Sequence, residues 1–142
     1  MEFVPSLACF VAIPREPAFD AVRRAVSEAL EQLKVERLEI GDMSGKLSPD
    51  ISDTIARADF LIADASSQAS NIFYILGIAD SLRKPTLLMA QRQMPLQPDL
   101  QQRSELLLYG PGEEPKLTEY LRWWAENVIE RQRQRSAPAR LA

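Results

Sequence analysis

The stretch ADFLIADASSQASNIFYILGIADSLRKP, residues 58–85, decides the fold. Phe60, Leu61, Ile62 and Ala63 form an apolar run too short for a helix and bounded by Asp59 and Asp64, the pattern of a strand buried on both faces. Asp64 then stands at the carboxyl end of that strand. The small polar run Ala65, Ser66, Ser67, Gln68, Ala69, Ser70 and Asn71 follows, where Ser70 or Asn71 can cap a helix through a side-chain oxygen. Ile72, Ile75, Leu76, Ala79 and Leu82 recur at helical spacing and predict one buried face. Lys84 falls where a cation meets the last carbonyls of such a helix, and Pro85 stops it.

The same alternation extends in both directions. Leu7–Ile13 is a continuous apolar run ended by Pro14, hence a central strand. Residues 14–34 carry Phe19, Val22, Val26, Leu30 and Leu33 at helical spacing, and residues 35–40 alternate apolar and charged residues like a half-exposed edge strand. GDMSGKLSPD, residues 41–50, is a loop with Ser48 as a cap and Pro49 at the first position of a short helix to Arg57, with Ile51 and Ile55 inward. Its SGK fragment lacks the spacing and preceding strand of a phosphate loop. Thr86–Ala90 is a fourth strand, residues 91–104 a polar rim or lid with two prolines, and Glu105–Tyr109 a fifth strand closed by the turn GPGEEP. The last helix, Lys116 to Arg133, turns Leu117, Leu121, Trp124 and Val128 inward and Trp123 outward. Such a pattern predicts an α/β three-layer domain with five parallel strands in the order 2-1-3-4-5 and right-handed crossovers. The topological switch then lies between the first and third strands, so residues 14–17 and 64–71 face each other across a crevice where a ligand is expected.

Composition narrows the chemistry. The chain has 142 residues, predicting one domain over residues 1–130 and a disordered basic tail over 131–142. With 46% hydrophobic and 26% charged residues it reads as a globular protein. The net charge of −3 hides an acidic body, because the tail holds four arginines and no acid, and this argues against a nucleic-acid surface. No apolar run approaches a membrane span, the start lacks signal-peptide features, and a cytoplasmic location is expected. Histidine is absent, which excludes His-dependent triads and His-containing zinc sites. The single cysteine, Cys9, lies within an apolar strand and reads as a buried thiol. No GxGxxG run exists, and neither a cofactor nor a metal is predicted.

Several segments together resemble the nucleoside 2-deoxyribosyltransferase-like superfamily, including its bacterial nucleotide-binding members and, more distantly, TIR-type domains. The residues that carry the resemblance are CFVAIP with Phe19 and Asp20 downstream, RADFLIAD, the spaced Asn71, Phe73, Tyr74 and Gly77, the Lys84-Pro85 pair and LLLY, in order from Cys9 to Tyr109. The resemblance implies a flavodoxin-like sheet and a crevice for a nucleoside, nucleotide or related small molecule. It also implies catalysis by a glutamate early in the helix after strand three, within a motif similar to N-x-x-Y-E-x-G. Asn71, Tyr74, Gly77 and Asp64 match, whereas the glutamate position is Ile75, which can neither attack an anomeric carbon nor offset positive charge there. After the first strand, Pro14-Arg15-Glu16-Pro17 replaces the aromatic and glycine common in the family. The expected ligand contacts are Asp64, Ser66, Ser67, Asn71, Tyr74 and Arg15. The expected function is nucleotide binding or regulation without glycosidic cleavage. The alternatives are an N-glycosidase or transferase using Asp64, Glu16 or Asp80, and a protein-interaction unit. Trp123 is a candidate anchor for homo-oligomers.

Overall fold

The computed structural model describes residues 6–39, 51–67, 71–103 and 105–136. Five strands, β1 (Ala8–Ala12), β2 (Glu36–Leu38), β3 (Phe60–Asp64), β4 (Thr86–Gln91) and β5 (Leu106–Tyr109), form one parallel sheet in the order β2-β1-β3-β4-β5. The helices are α1 (Asp20–Gln32), entered through a 3₁₀ turn at Pro17–Phe19, then α2 (Ile51–Arg57), α3 (Asn71–Ser81), α4 (Pro98–Gln101) and α5 (Glu114–Ser136). The fold is the flavodoxin-like arrangement that the alternation of elements predicts.

Two cores flank the sheet, and strand alternation assigns each residue to one of them. Cys9, Val11, Phe60, Ile62, Leu87 and Met89 face α1 and α5, packing with Val22, Val26, Leu30, Leu117, Leu121, Trp124 and Val128. The Phe60 and Trp124 rings meet edge to face at 5.7 Å, and the indole nitrogen donates to Glu105 at 3.0 Å. Phe10, Ala12, Leu61, Ala63 and Leu88 face the other way, toward Ile51, Ile55, Ile72, Ile75, Leu76, Ala79 and Leu100. The Cys9 thiol is fully enclosed, and burial pushes its pKa far above the ordinary thiol range.

Several expectations change at element ends. Helix α3 closes at Ser81, with Leu82 N–H still donating to the Ile78 carbonyl at 3.0 Å and Arg83 in the left-handed conformation (φ 56°), and Leu82 is 44% exposed instead of buried. Its closing bonds are Lys84 N–H to Ala79 and Arg83 N–H to Asp80. The Lys84 ammonium reaches the Ala56 carbonyl in the last turn of α2, at 2.9 Å, and so ties α2 to the end of α3. The polar segment after β4 is anchored by buried Leu100 and by a two-pronged Arg103–Asp80 ion pair at 3.0 Å. A free lid does not describe it. Arg131, Arg133 and Arg135, predicted to begin a disordered tail, are helical through Ser136. Half-buried Gln132 donates to the Asp59 carbonyl at 2.8 Å and holds that last stretch to the sheet. Residues 137–142, and the predicted loop at 41–50 with its Ser48 cap and Pro49, lie outside the described residues, as does Ser70.

Gly77 also departs from expectation. A glycine within a helix that packs on a sheet can serve close approach of the two, yet Gly77 lies on the exposed side of α3, and a Cβ there would meet nothing within 4 Å. Alanine should therefore lower only the backbone entropy of the unfolded chain. Gly77→Ala is expected to raise the unfolding free energy by about 0.5–1 kcal/mol in urea titrations. A loss of stability would reveal a close neighbour on that side.

Candidate functional site

The loops after β1 and β3 emerge at the same end of the sheet, because β1 and β3 pair side by side through Ala12 and Ala63. Arg15 and Glu16 are exposed on the first loop, and Ser67 is exposed on the second. Asn71 opens α3 and is half-buried, while Tyr74, one turn further, is 52% exposed. The eleven-residue helix presents the positive end of its dipole in this region. Thus Arg15 and Ser67 lie on the two loops at this end of the sheet, and Asn71 and Tyr74 in the first turn of α3.

Asp64 and Ser66 do not face outward with them. Asp64 is 3% exposed, one carboxylate oxygen accepting the Ser66 N–H at 2.8 Å and the other the Tyr109 hydroxyl at 2.5 Å. Ser66 is buried as well, and its Oγ accepts the Gln91 N–H at 2.9 Å, continuing the β3–β4 ladder where β3 has ended. Burial raises the Asp64 pKa above its ordinary value, with the bonds from Ser66 and Tyr109 opposing that shift in part. Burial, the adjacent Asp64 charge and the bond to it raise Tyr109 as well, so its phenol stays protonated and donates. A ligand-binding role for Asp64 needs a lone pair aimed at the loop edge, whereas both oxygens point into a network that joins β3, β4 and β5.

Asp64 and Ile75, the two positions compared with the family motif, lie on opposite faces of the sheet. Ile75 is fully buried among Leu61, Ala63 and Leu88, on the α2 and α3 side of the sheet. Asp64 continues the opposite face through Ile62 and meets Tyr109, which belongs to the α1 and α5 core. The sheet itself separates them. Asp80, another carboxylate considered for catalysis, is held by Arg103.

Tyr109 and Gln91 were not singled out from the sequence, although a signal existed. Period-two alternation places Asp64, Gln91 and Tyr109 on the face of Ile62, Met89 and Leu107, and the register brings Gln91 opposite Tyr109. Beyond them a hollow of about 190 Å³ is lined by Gln91, Arg92, Gln93, Tyr109, Gly110 and Glu113, among others. Arg92 and Glu113 bridge it as an ion pair that holds the Glu113 carboxyl below its ordinary pKa. Gly110 permits that bridge, since a Cβ would stand 3.1 Å from Arg92 and 3.2 Å from Glu113. Among the described residues no group of three or more acids or cysteines could hold a metal, and no helix is long and apolar enough to cross a membrane.

No protein-family model and no curated protein sequence matches the chain. Solved structures do. A diflavin flavoprotein from Nostoc sp. aligns over 93% of this chain and 99% of its own, with a TM-score of 0.68 at 12% identity. The TIR domains of the RPS4 and RRS1 heterodimer align over 87% and 98%, with a TM-score of 0.61 at 12% identity. A CMP N-glycosidase from Clostridium botulinum aligns over 82% and 98%, with a TM-score of 0.58 at 18% identity. At these identities the likeness is one of fold.

Proposed function

We propose that this chain is a nucleotide-binding regulatory module that holds a nucleoside or nucleotide at the β1–β3 edge and leaves its glycosidic bond intact. The observation that carries the second half is the fate of the two positions on which cleavage would depend. Ile75 is enclosed in hydrocarbon, and Asp64 spends both oxygens inside the protein. Glycosidic cleavage needs a carboxylate beside the sugar to attack or to balance charge, and neither position offers one.

The binding half rests on the residues that remain at the edge. Arg15 supplies a cation for a phosphate, Ser67 and Asn71 supply hydrogen-bonding groups beside the α3 N-terminus, and Tyr74 supplies an aromatic face for a base. Asp64 and Ser66 serve beneath them by fixing the β3 end from which this loop departs. The fold shared with a CMP N-glycosidase agrees with a nucleotide as the ligand class.

Thermal denaturation with CMP, deoxynucleosides and NAD tests the binding half. A concentration-dependent rise in Tm with at least one of them is expected, since a ligand that binds only the folded state stabilises it by mass action. The same mixtures, assayed for free base, should yield none above the rate without protein. Released base would restore the enzyme reading through another acid, Glu16 being the exposed candidate. No shift with any of these ligands would instead favour the interaction unit, for which exposed Phe73 and Tyr74 on α3 offer a surface.

A further inference from the structure

The outer face of α5 carries a pattern that folding of one chain does not use. Lys116, Glu119, Trp123, Asn127 and Glu130 are all exposed and follow one another at steps of three, four, four and three residues. That spacing lines them along one stripe of the helix and reads the same in both directions from Trp123. Trp123 is 57% exposed, the largest exposure among the bulky hydrophobic residues of the described chain. One neighbour on the same helix touches it. Its ring leans on half-buried Tyr120 at 5.6 Å, and Asn127 donates to its carbonyl at 2.7 Å. A tryptophan exposed to water is a cost to solubility that a partner surface removes.

We infer that a second copy of this chain docks here, α5 against α5, antiparallel about a two-fold axis at Trp123. The charges select both the partner and the direction. An antiparallel pair with Trp123 at its centre sets Lys116 of each copy against Glu130 of the other, giving two opposite-charge contacts, and sets Glu119 near Asn127. A parallel pair in register would set Lys116 against Lys116 and Glu130 against Glu130. Two-fold symmetry requires one patch to complement itself, and this stripe does. Groups that already face these charges within one chain are Arg133 on Glu130 at 3.8 Å and Glu113 near Lys116. The first is a solvent-exposed pair, so exchanging it for a contact across the axis costs little. With a single bulky anchor per copy the contact is smaller than a permanent interface, and the dimer is weak and reversible. It lies on the α1 and α5 side of the sheet and is independent of the nucleotide reading.

Sedimentation equilibrium from about 10 µM to 1 mM protein tests this range of weak association. The natural chain should pass from monomer to dimer, and Trp123→Ala should remain monomeric throughout. Lys116→Glu and Glu130→Lys should each weaken the dimer by about tenfold, as like charges come to face each other. Combining the two substitutions restores opposite pairs and should recover most of the association. All three positions are exposed, and unchanged thermal unfolding of each dilute variant would confirm an intact fold. A natural chain that stays monomeric to the highest concentration overturns the inference. So does a dimer indifferent to Trp123→Ala, or a double exchange that fails to recover.

Discussion

Ile75→Glu is expected to unfold the domain. The substitution places an acid at the position where the motif that the sequence resembles has a glutamate, so it is the direct way to ask whether this position can do chemistry. Ile75 is fully buried between α3 and the sheet, in contact with the core of Leu61, Ala63, Leu76 and Leu88. Truncating such a residue to alanine typically costs about 2–5 kcal/mol, and a buried carboxyl without a partner adds several more. That sum is comparable with the whole stability of a domain of this size, about 5–15 kcal/mol. Circular dichroism and urea titration of Ile75→Glu should therefore find little or no folded protein at neutral pH. Ile75→Val, the control, should cost only about 1 kcal/mol. A folded Ile75→Glu protein that released base from a nucleoside would mean that the side chain reaches the crevice after all.

The contrast between the fold and the site follows from how each is encoded. Strand and helix identities are local, written in runs such as LACFVAI and FLIAD and in the spacing of Val22, Val26 and Leu30, and these were legible without coordinates. So was the strand order, because short βα units have few ways to pack. The direction in which Asp64 points was also implicit in the alternation from Ile62. What could not be read was which residue would meet it. Tyr109 is forty-five positions away, and its arrival depends on the register of β4 on β3 and of β5 on β4. A motif match at Asn71, Tyr74 and Gly77 likewise spoke only for residue types. Whether position 75 opens to the crevice depends on the rotation of α3 about its axis, which its four buried residues set.

Tyr109→Phe is expected to cost about 1.5–3 kcal/mol, the range for a hydrogen bond to a charged group. The ring keeps its packing, so the loss measures the hydroxyl alone and the buried Asp64 oxygen it leaves without a donor. Asp64→Asn should be milder, because an amide retains the bond from Ser66 and carries no charge to desolvate. The two variants differ most in pH dependence. Burial raises the Asp64 pKa above the ordinary 3.8, so between that value and the raised one the folded chain binds more protons than the unfolded chain. Stability from this group is then full below the ordinary value and is lost as pH rises through the folded one. Relative to Asp64→Asn, the natural protein should gain stability on acidification toward about pH 4. Other carboxylates contribute equally to both proteins, and the difference isolates Asp64. Tyr109→Phe removes a donor that favours the carboxylate, so it should raise the Asp64 pKa further and widen the window over which stability falls. Urea titrations across this pH range provide the measurement, and parallel curves for the natural protein and Asp64→Asn would mean that the carboxyl is solvated. The same variants separate scaffold from site: if Asp64 acts only beneath the loop, Asp64→Asn should leave nucleotide affinity nearly unchanged while Tyr74→Ala weakens it.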